Sequence, residues 1–139
     1  MVVESDDWHP DGWMLEDAAQ RNREHPETFE IPPDSLRNSL VIGDLAKLCF
    51  RFRDSDGRVL GERMWVMVTA AKEGQYVGVL RNDPLLSDAL GYEDVVTFSG
   101  EHVADVQVGY ANREHPQYSE EWARRLEESP NPHLSLLEV

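Results

Sequence analysis

Ala46-Lys47-Leu48-Cys49-Phe50-Arg51-Phe52-Arg53 alternates, and the alternation decides the fold. Ala46, Leu48, Phe50 and Phe52 fall on one side, and Lys47, Cys49, Arg51 and Arg53 on the other. Successive side chains leave a pleated backbone on opposite faces, so this period of two predicts a strand with one face in a core. Asp54-Ser55-Asp56-Gly57 follows as a turn, because Asp bonds its own backbone and Gly tolerates positive φ. Glu62 to Thr69 is the next predicted strand. It is apolar on both faces, with Met64, Val66 and Val68 against Trp65 and Met67, which suits a central or a wrapped strand.

Outward from this pair the punctuation continues. Lys72-Glu73-Gly74 turns the chain into a third strand, Gln75 to Leu80, in which Gly78 signals a bend or a close backbone approach. Asn82-Asp83-Pro84 breaks that strand. Pro84 to Leu90 reads as a helical turn or two stopped by Gly91. Asp94 to Phe98 and His102 to Val108 are the fourth and fifth strands, separated by Ser99-Gly100-Glu101. The expected fold class is α+β: a strongly bent antiparallel five-stranded sheet, or a partly open small SH3-like barrel, over about residues 43–108.

The flanks read as helical, 11–40 before the core and 109–139 after it, within a single domain 1–139. Asp11 to Asn22 reads as a first helix: Asp11 can cap it, Met14, Leu15, Ala18, Ala19 and Asn22 fall at three-to-four spacing, and Pro26 bounds it. Thr28 to Asp34 suits an extended connector, and Asp34 to Leu40 a short helical turn. Tyr118, Trp122 and Leu126 lie one turn apart on a last helix capped by Ser119 and ended before Pro130.

Several spaced blocks of the core carry a family resemblance. They are Gly43-Asp44-x-Ala46-Lys47-Leu48-x-Phe50, Gly61-Glu62-x-Met64-Trp65-Val66-x-Val68, Gly78-x-Leu80-x-Asn82-Asp83-Pro84, Asp94-x-Val96 and Val103-Ala104-Asp105. Over roughly residues 40–108 they resemble a small bacterial family of domains of unknown function, the YegJ-like group. The family usually carries Gly-Asp where this chain has Glu93-Asp94, and an aromatic residue where it has Val106. The resemblance implies a bacterial origin and no established activity.

Charge narrows the partners. The 139 residues carry 27 Asp and Glu against 13 Lys and Arg, a net charge of −14. The excess is heaviest before residue 41, where ten acidic residues face three basic ones. Such a surface repels phosphate backbones and favours basic proteins, so no nucleic-acid partner is expected. Charge of this size also keeps a protein soluble without any partner. No apolar run reaches membrane-spanning length, and the first residues lack a basic, then apolar, secretory pattern. The single cysteine, Cys49, has no internal disulfide partner, so a cytoplasmic location is expected.

The chemistry-bearing motifs are sparse. Glu62, Trp65, Asn82, Asp83 and Pro84 form a candidate binding corner, against the alternative that Asn82-Asp83-Pro84 is only a capped turn. Trp65 is either a second layer of the core, which the two-faced strand favours, or an exposed aromatic anchor. Asp54-Ser55-Asp56-Gly57 lacks the calcium-loop spacing of its Gly and Glu. Asn-Arg-Glu-His-Pro occurs at 22–26 and again at 112–116, so His25, His115, Glu24 and Glu114 would cluster only if the copies met. Ligand spacing within one element is absent, and no metal or cofactor is expected. Cys49 with His102 would make a nucleophile pair only if the fold joined them, and a strand cysteine is usually inert. No catalytic residue is assigned. The expectation is a non-enzymatic acidic interaction module, for example immunity-like, binding a basic protein. The alternative is a small-molecule binder or small enzyme with a pocket between sheet and helices.

Overall fold

The computed structural model describes residues 8–110 together with Leu137. Strands β2 (Leu45–Arg53) and β3 (Val59–Lys72) form an antiparallel hairpin with Phe50 opposite Glu62 and Leu45 opposite Met67. Their turn closes as its residues dictate. The Asp54 carboxylate accepts the N–H groups of Asp56 and Arg58, each at 2.9 Å, and Gly57 takes φ +82°. β3 is long enough to serve two neighbours. Its first part pairs with β2, and its second with β4 (Gln75–Leu80) through the two-residue turn Glu73-Gly74, both at positive φ. The register slips between Val68 and Ala70, and such a bulge bends the strand.

β5 (Val95–Ser99) pairs with β4, and a 3-10 turn (Gly100–His102) leads into β6 (Val103–Gln107). β6 does not extend the sheet beyond β5. It returns to β2, with Ala46 opposite Val106. The rest of that edge of β2 is taken by a short strand, β1 (Trp13–Leu15), with Leu15 opposite Phe50. The sheet therefore curls into a half-barrel, open between the β1/β6 edge and β5.

The concave face holds the main core. Phe50, Phe52, Leu48, Met64, Val66, Val68, Tyr76, Leu80 and Val96 meet there, all essentially without exposure. These include the alternating residues of the first predicted strand. The opposite face of β3 is also partly covered, as its composition indicated: Leu45, Met67 and Val79 cluster there under Trp65 and Tyr110. Gly78 is a point of close approach. A Cβ at that position would lie 2.5 Å from the Met67 carbonyl oxygen and 2.5 Å from Val66 Cγ1.

Two short helices flank the sheet, α1 (Ala18–Glu24) and α2 (Asp34–Arg37). Arg37 is buried. Its guanidinium donates to the Gly100 carbonyl at 2.7 Å and to the Pro32 carbonyl at 2.8 Å, and pairs with Asp34. It thereby ties α2 to the 3-10 turn. Asp44, also buried, accepts from Val41 N–H at 2.9 Å and from Gly109 N–H at 2.8 Å, joining the two ends of the sheet region.

Four expectations need correction. Asp11 to Asn22 is not one helix: Gly12 at φ +92° leads into β1, and helix α1 starts only after Asp17, whose side chain caps Gln20 N–H at 2.8 Å. The sheet has six strands among the described residues, not five, because β1 adds to β2. Pro84 to Leu90 forms bends and no helix. The Glu62 side chain accepts the N–H groups of Leu85 and Leu86, so these donors are satisfied across the loop instead of along a helix. His102 belongs to the 3-10 turn, and the last strand begins at Val103. The helix read at Ser119 to Pro130 lies outside the described residues.

Candidate functional site

The corner read from the sequence assembles in space. Both Glu62 carboxylate oxygens lie 3.1 Å from Leu85 N, and Oε1 lies 3.2 Å from Leu86 N. Asn82 Oδ1 accepts Trp65 N–H at 2.6 Å, and Arg81 N–H donates to the Trp65 carbonyl at 2.9 Å. Glu62, Trp65 and Asn82 therefore spend their polar groups on fastening the loop after β4 to β3. Asp83 is exposed and Pro84 half-buried. The indole of Trp65 is half-buried over the small outer cluster, with Lys47 Nζ 5.2 Å from its ring centre. It is at once a cover for the second layer and partly accessible. The fastened loop holds Leu85 outward, 87% exposed, near the partly exposed Leu86.

A second region, not anticipated from the sequence, has more room. An open-sided cleft of about 950 Å³ runs between the β1–α1 segment and the β5–3-10 segment. Trp8, His9 and Trp13 supply an aromatic wall, with His9 stacked on Trp13 at 4.8 Å. Glu16 fastens the adjoining elements together. Its Oε1 accepts from Arg51 Nη2 at 2.6 Å and Nε at 3.0 Å, and its Oε2 from Arg21 Nη1 at 3.1 Å. One carboxylate thus engages two guanidiniums. Asp17, Glu24 and Glu101 bring further negative charge to the lining, while His25, His102 and Thr97 add polar groups. The buried Trp13 Nε1 has no hydrogen-bond partner among the described residues.

The remaining sequence candidates separate. Cys49 is buried with Ala18, Phe29 and Ala104, and burial first, the Glu16 charge second, push its thiol above the usual value. His102 instead lines the cleft and accepts the Ser99 N–H on Nδ1 at 3.0 Å. Glu24 and His25 of the first Asn-Arg-Glu-His-Pro copy line the cleft, and the second copy lies outside the described residues. Among the described residues no group of three or more His, Cys, Asp or Glu side chains is placed to hold a metal ion. No helix among them is long and apolar enough to cross a membrane.

The cleft left one trace in the sequence. Asp17 followed by Gln20 is a helix-start signature, and moving the helix start there frees Trp13-Met14-Leu15 to be a strand. Comparison with known proteins gives no match to a family model, a curated protein or a solved structure.

Proposed function

We propose that this chain is a non-enzymatic binding module of a bacterial cytoplasm, which takes a basic segment of a protein partner into the cleft beside β1 and β5. The observation that carries the reading is the cleft itself. It combines an aromatic wall with three carboxylates beyond the one engaged by Arg21 and Arg51, on a chain of net charge −14. Among the described residues its lining holds no lysine. The path β2–β3–β4–β5, then the 3-10 turn and the return of β6 to β2, supports an SH3-like description of the barrel. The blocks that resemble the YegJ-like group lie largely in β2, β3, β4 and β6 and their joints, and the bacterial origin in this reading rests on that resemblance alone. The corner of exposed Asp83, Leu85 and Leu86 around the half-buried Pro84, held by Glu62, Asn82 and Trp65, supplies a secondary contact area.

Affinity purification from the native cell tests this, with the chain and with a variant carrying Asp17→Asn, Glu24→Gln and Glu101→Gln. A basic protein should be recovered reproducibly at low salt, less at moderate salt, and far less by the variant. Failure to recover any reproducible protein partner, or equal recovery by the variant, defeats the reading. A second reading draws on the orphaned Trp13 Nε1: a small ligand bearing a hydrogen-bond acceptor occupies the cleft. Such a ligand would copurify with the intact chain and appear in native mass spectra.

A further inference from the structure

The open gap of the half-barrel exposes a strand edge with unusual chemistry. Among the described residues β5 lies at one end of the strand path and pairs only with β4. Its register shows which peptide groups are used. Leu80 N–H donates to the Asp94 carbonyl at 2.9 Å, and Gly100 N–H to the Gly74 carbonyl at 3.1 Å. Within the register Val79↔Val95 to Gln75↔Ser99, these bonds place Asp94, Val96, Phe98 and Gly100 in the hydrogen-bonded pairs. The intervening residues Val95, Thr97 and Ser99 therefore direct their N–H and C=O groups away from β4. Ser99 N–H is taken by His102 Nδ1. Among the described residues, the N–H and C=O groups of Val95 and Thr97 have no partner strand.

Natural sheets commonly guard such an edge with lysine, proline or a bulge. β5 reads Val95-Val96-Thr97-Phe98-Ser99, without charge or proline, and pairs with β4 in unbroken register. Its outward side chains are accessible, since Val95 is 43% exposed and Thr97 is also exposed. Thr97 lines the cleft, and Glu93, Asp94 and Glu101 flank the strand with negative charge.

We propose that β5 is a strand-addition site: an extended basic peptide of the partner pairs with the outward groups of Val95 and Thr97 and lies in the gap, its cations near Glu93, Glu101 and Asp17. The mode is that of an edge-added strand, in which backbone bonds give affinity and alternate side chains give selectivity. This rests on the basic-partner reading above and adds the mode of binding. A second copy of the chain is the poorer occupant, because two molecules of net charge −14 repel as their edges meet.

The test uses the full chain and two short probes of equal charge, an alternating lysine–valine peptide and the same peptide N-methylated at every amide. Binding is read by titration calorimetry, and backbone exchange by nuclear magnetic resonance. The unmethylated probe should bind saturably and slow the exchange of Val95 and Thr97 amides, leaving Val96 and Phe98 unchanged. N-methylation should weaken binding by about tenfold or more, the scale of one lost hydrogen bond. Thr97→Pro removes an outward donor and no β4 bond, so it should weaken the unmethylated probe similarly. Should that variant not fold, the amide exchange of the unaltered chain still decides. Equal binding of both probes, with Val95 and Thr97 exchange unchanged, overturns strand addition and leaves the basic-partner reading standing. Binding of neither probe overturns both.

Discussion

Tyr76→Phe removes one oxygen from the interior and leaves the ring. The hydroxyl donates to the Arg37 carbonyl at 2.8 Å and accepts the Leu40 N–H at 3.1 Å. Both partners belong to buried residues on the segment that carries α2 across the barrel. The ring would keep its packing on Phe98, at 5.2 Å between centres, so no cavity term enters. The loss is the desolvation of two backbone groups left unpaired, about 1–3 kcal/mol each, hence about 2–6 kcal/mol together where no water replaces the oxygen. Urea melts should show a lower midpoint with an unchanged m value. The same variant should alter the alkaline limb. Burial, with Asp44 adding to it, raises the tyrosine above its ordinary 10.0 although the Leu40 N–H opposes the shift. The folded chain therefore keeps a proton that the unfolded chain releases above pH 10. The tyrosine's contribution is whole below that pH and declines as pH rises through the folded value. Tyr76→Phe should flatten that decline. A loss under about 1 kcal/mol at pH 7 would refute the claim that this hydroxyl holds α2 to the sheet.

Other sites test other parts of the structure. Phe50→Ala should cost about 3–5 kcal/mol in denaturant melts, because Phe50 is fully buried between Trp13 and Phe52. Gly78→Ala should cost about 3 kcal/mol or more, as its Cβ meets a backbone carbonyl at 2.5 Å, whereas Gly61→Ala, with its nearest atom at 3.8 Å, serves as a near-neutral control in the same assay. Cys49 should resist thiol reagents at pH 8 until urea unfolds the chain. Its raised pKa means stability is whole below the ordinary 9.0 and falls as pH rises beyond it, a fall that Cys49→Ala should reduce. Glu62→Ala should speed amide exchange at Leu85 and Leu86 while costing about 1 kcal/mol or less in stability, since those donors are exposed and water replaces the carboxylate.

The sheet was legible where its rules are local. Gln75 to Leu80 was bounded by Glu73-Gly74 on one side and Asn82-Asp83-Pro84 on the other, and β4 has those limits. Period two placed Ala46, Leu48, Phe50 and Phe52 in the core, where they are. β1 was not legible, because three residues are too short to show a period and Trp13-Met14-Leu15 fits a helix face equally well. Pro84 to Leu90 failed for a related reason. Leu85, Leu86 and Leu90 have helical spacing, but the backbone donors there found a distant acceptor in Glu62. The corner of Glu62, Trp65 and Asn82 was legible because neighbouring strands bring them together. The cleft draws on β1, α1, β5 and the 3-10 turn at once, so it appears only when the sheet has curled.

Salt separates the two contributions proposed for binding. Glu93 and Glu101 act across open solvent, where the Debye length is about 8 Å at physiological ionic strength, so their attraction for a basic segment fades as salt rises. The Arg21 and Arg51 charges are offset only in part by Glu16, which lowers the attraction further. Backbone bonds from Val95 and Thr97 to an added strand involve no net charge. Their share should survive in high salt. Affinity for the lysine–valine probe plotted against ionic strength should therefore fall and then level at a residue that N-methylation abolishes. Neutralising Asp17, Glu93 and Glu101 should flatten the slope and leave the plateau. A curve that falls to nothing assigns all the affinity to charge, and β5 would then be an open edge that binds no strand.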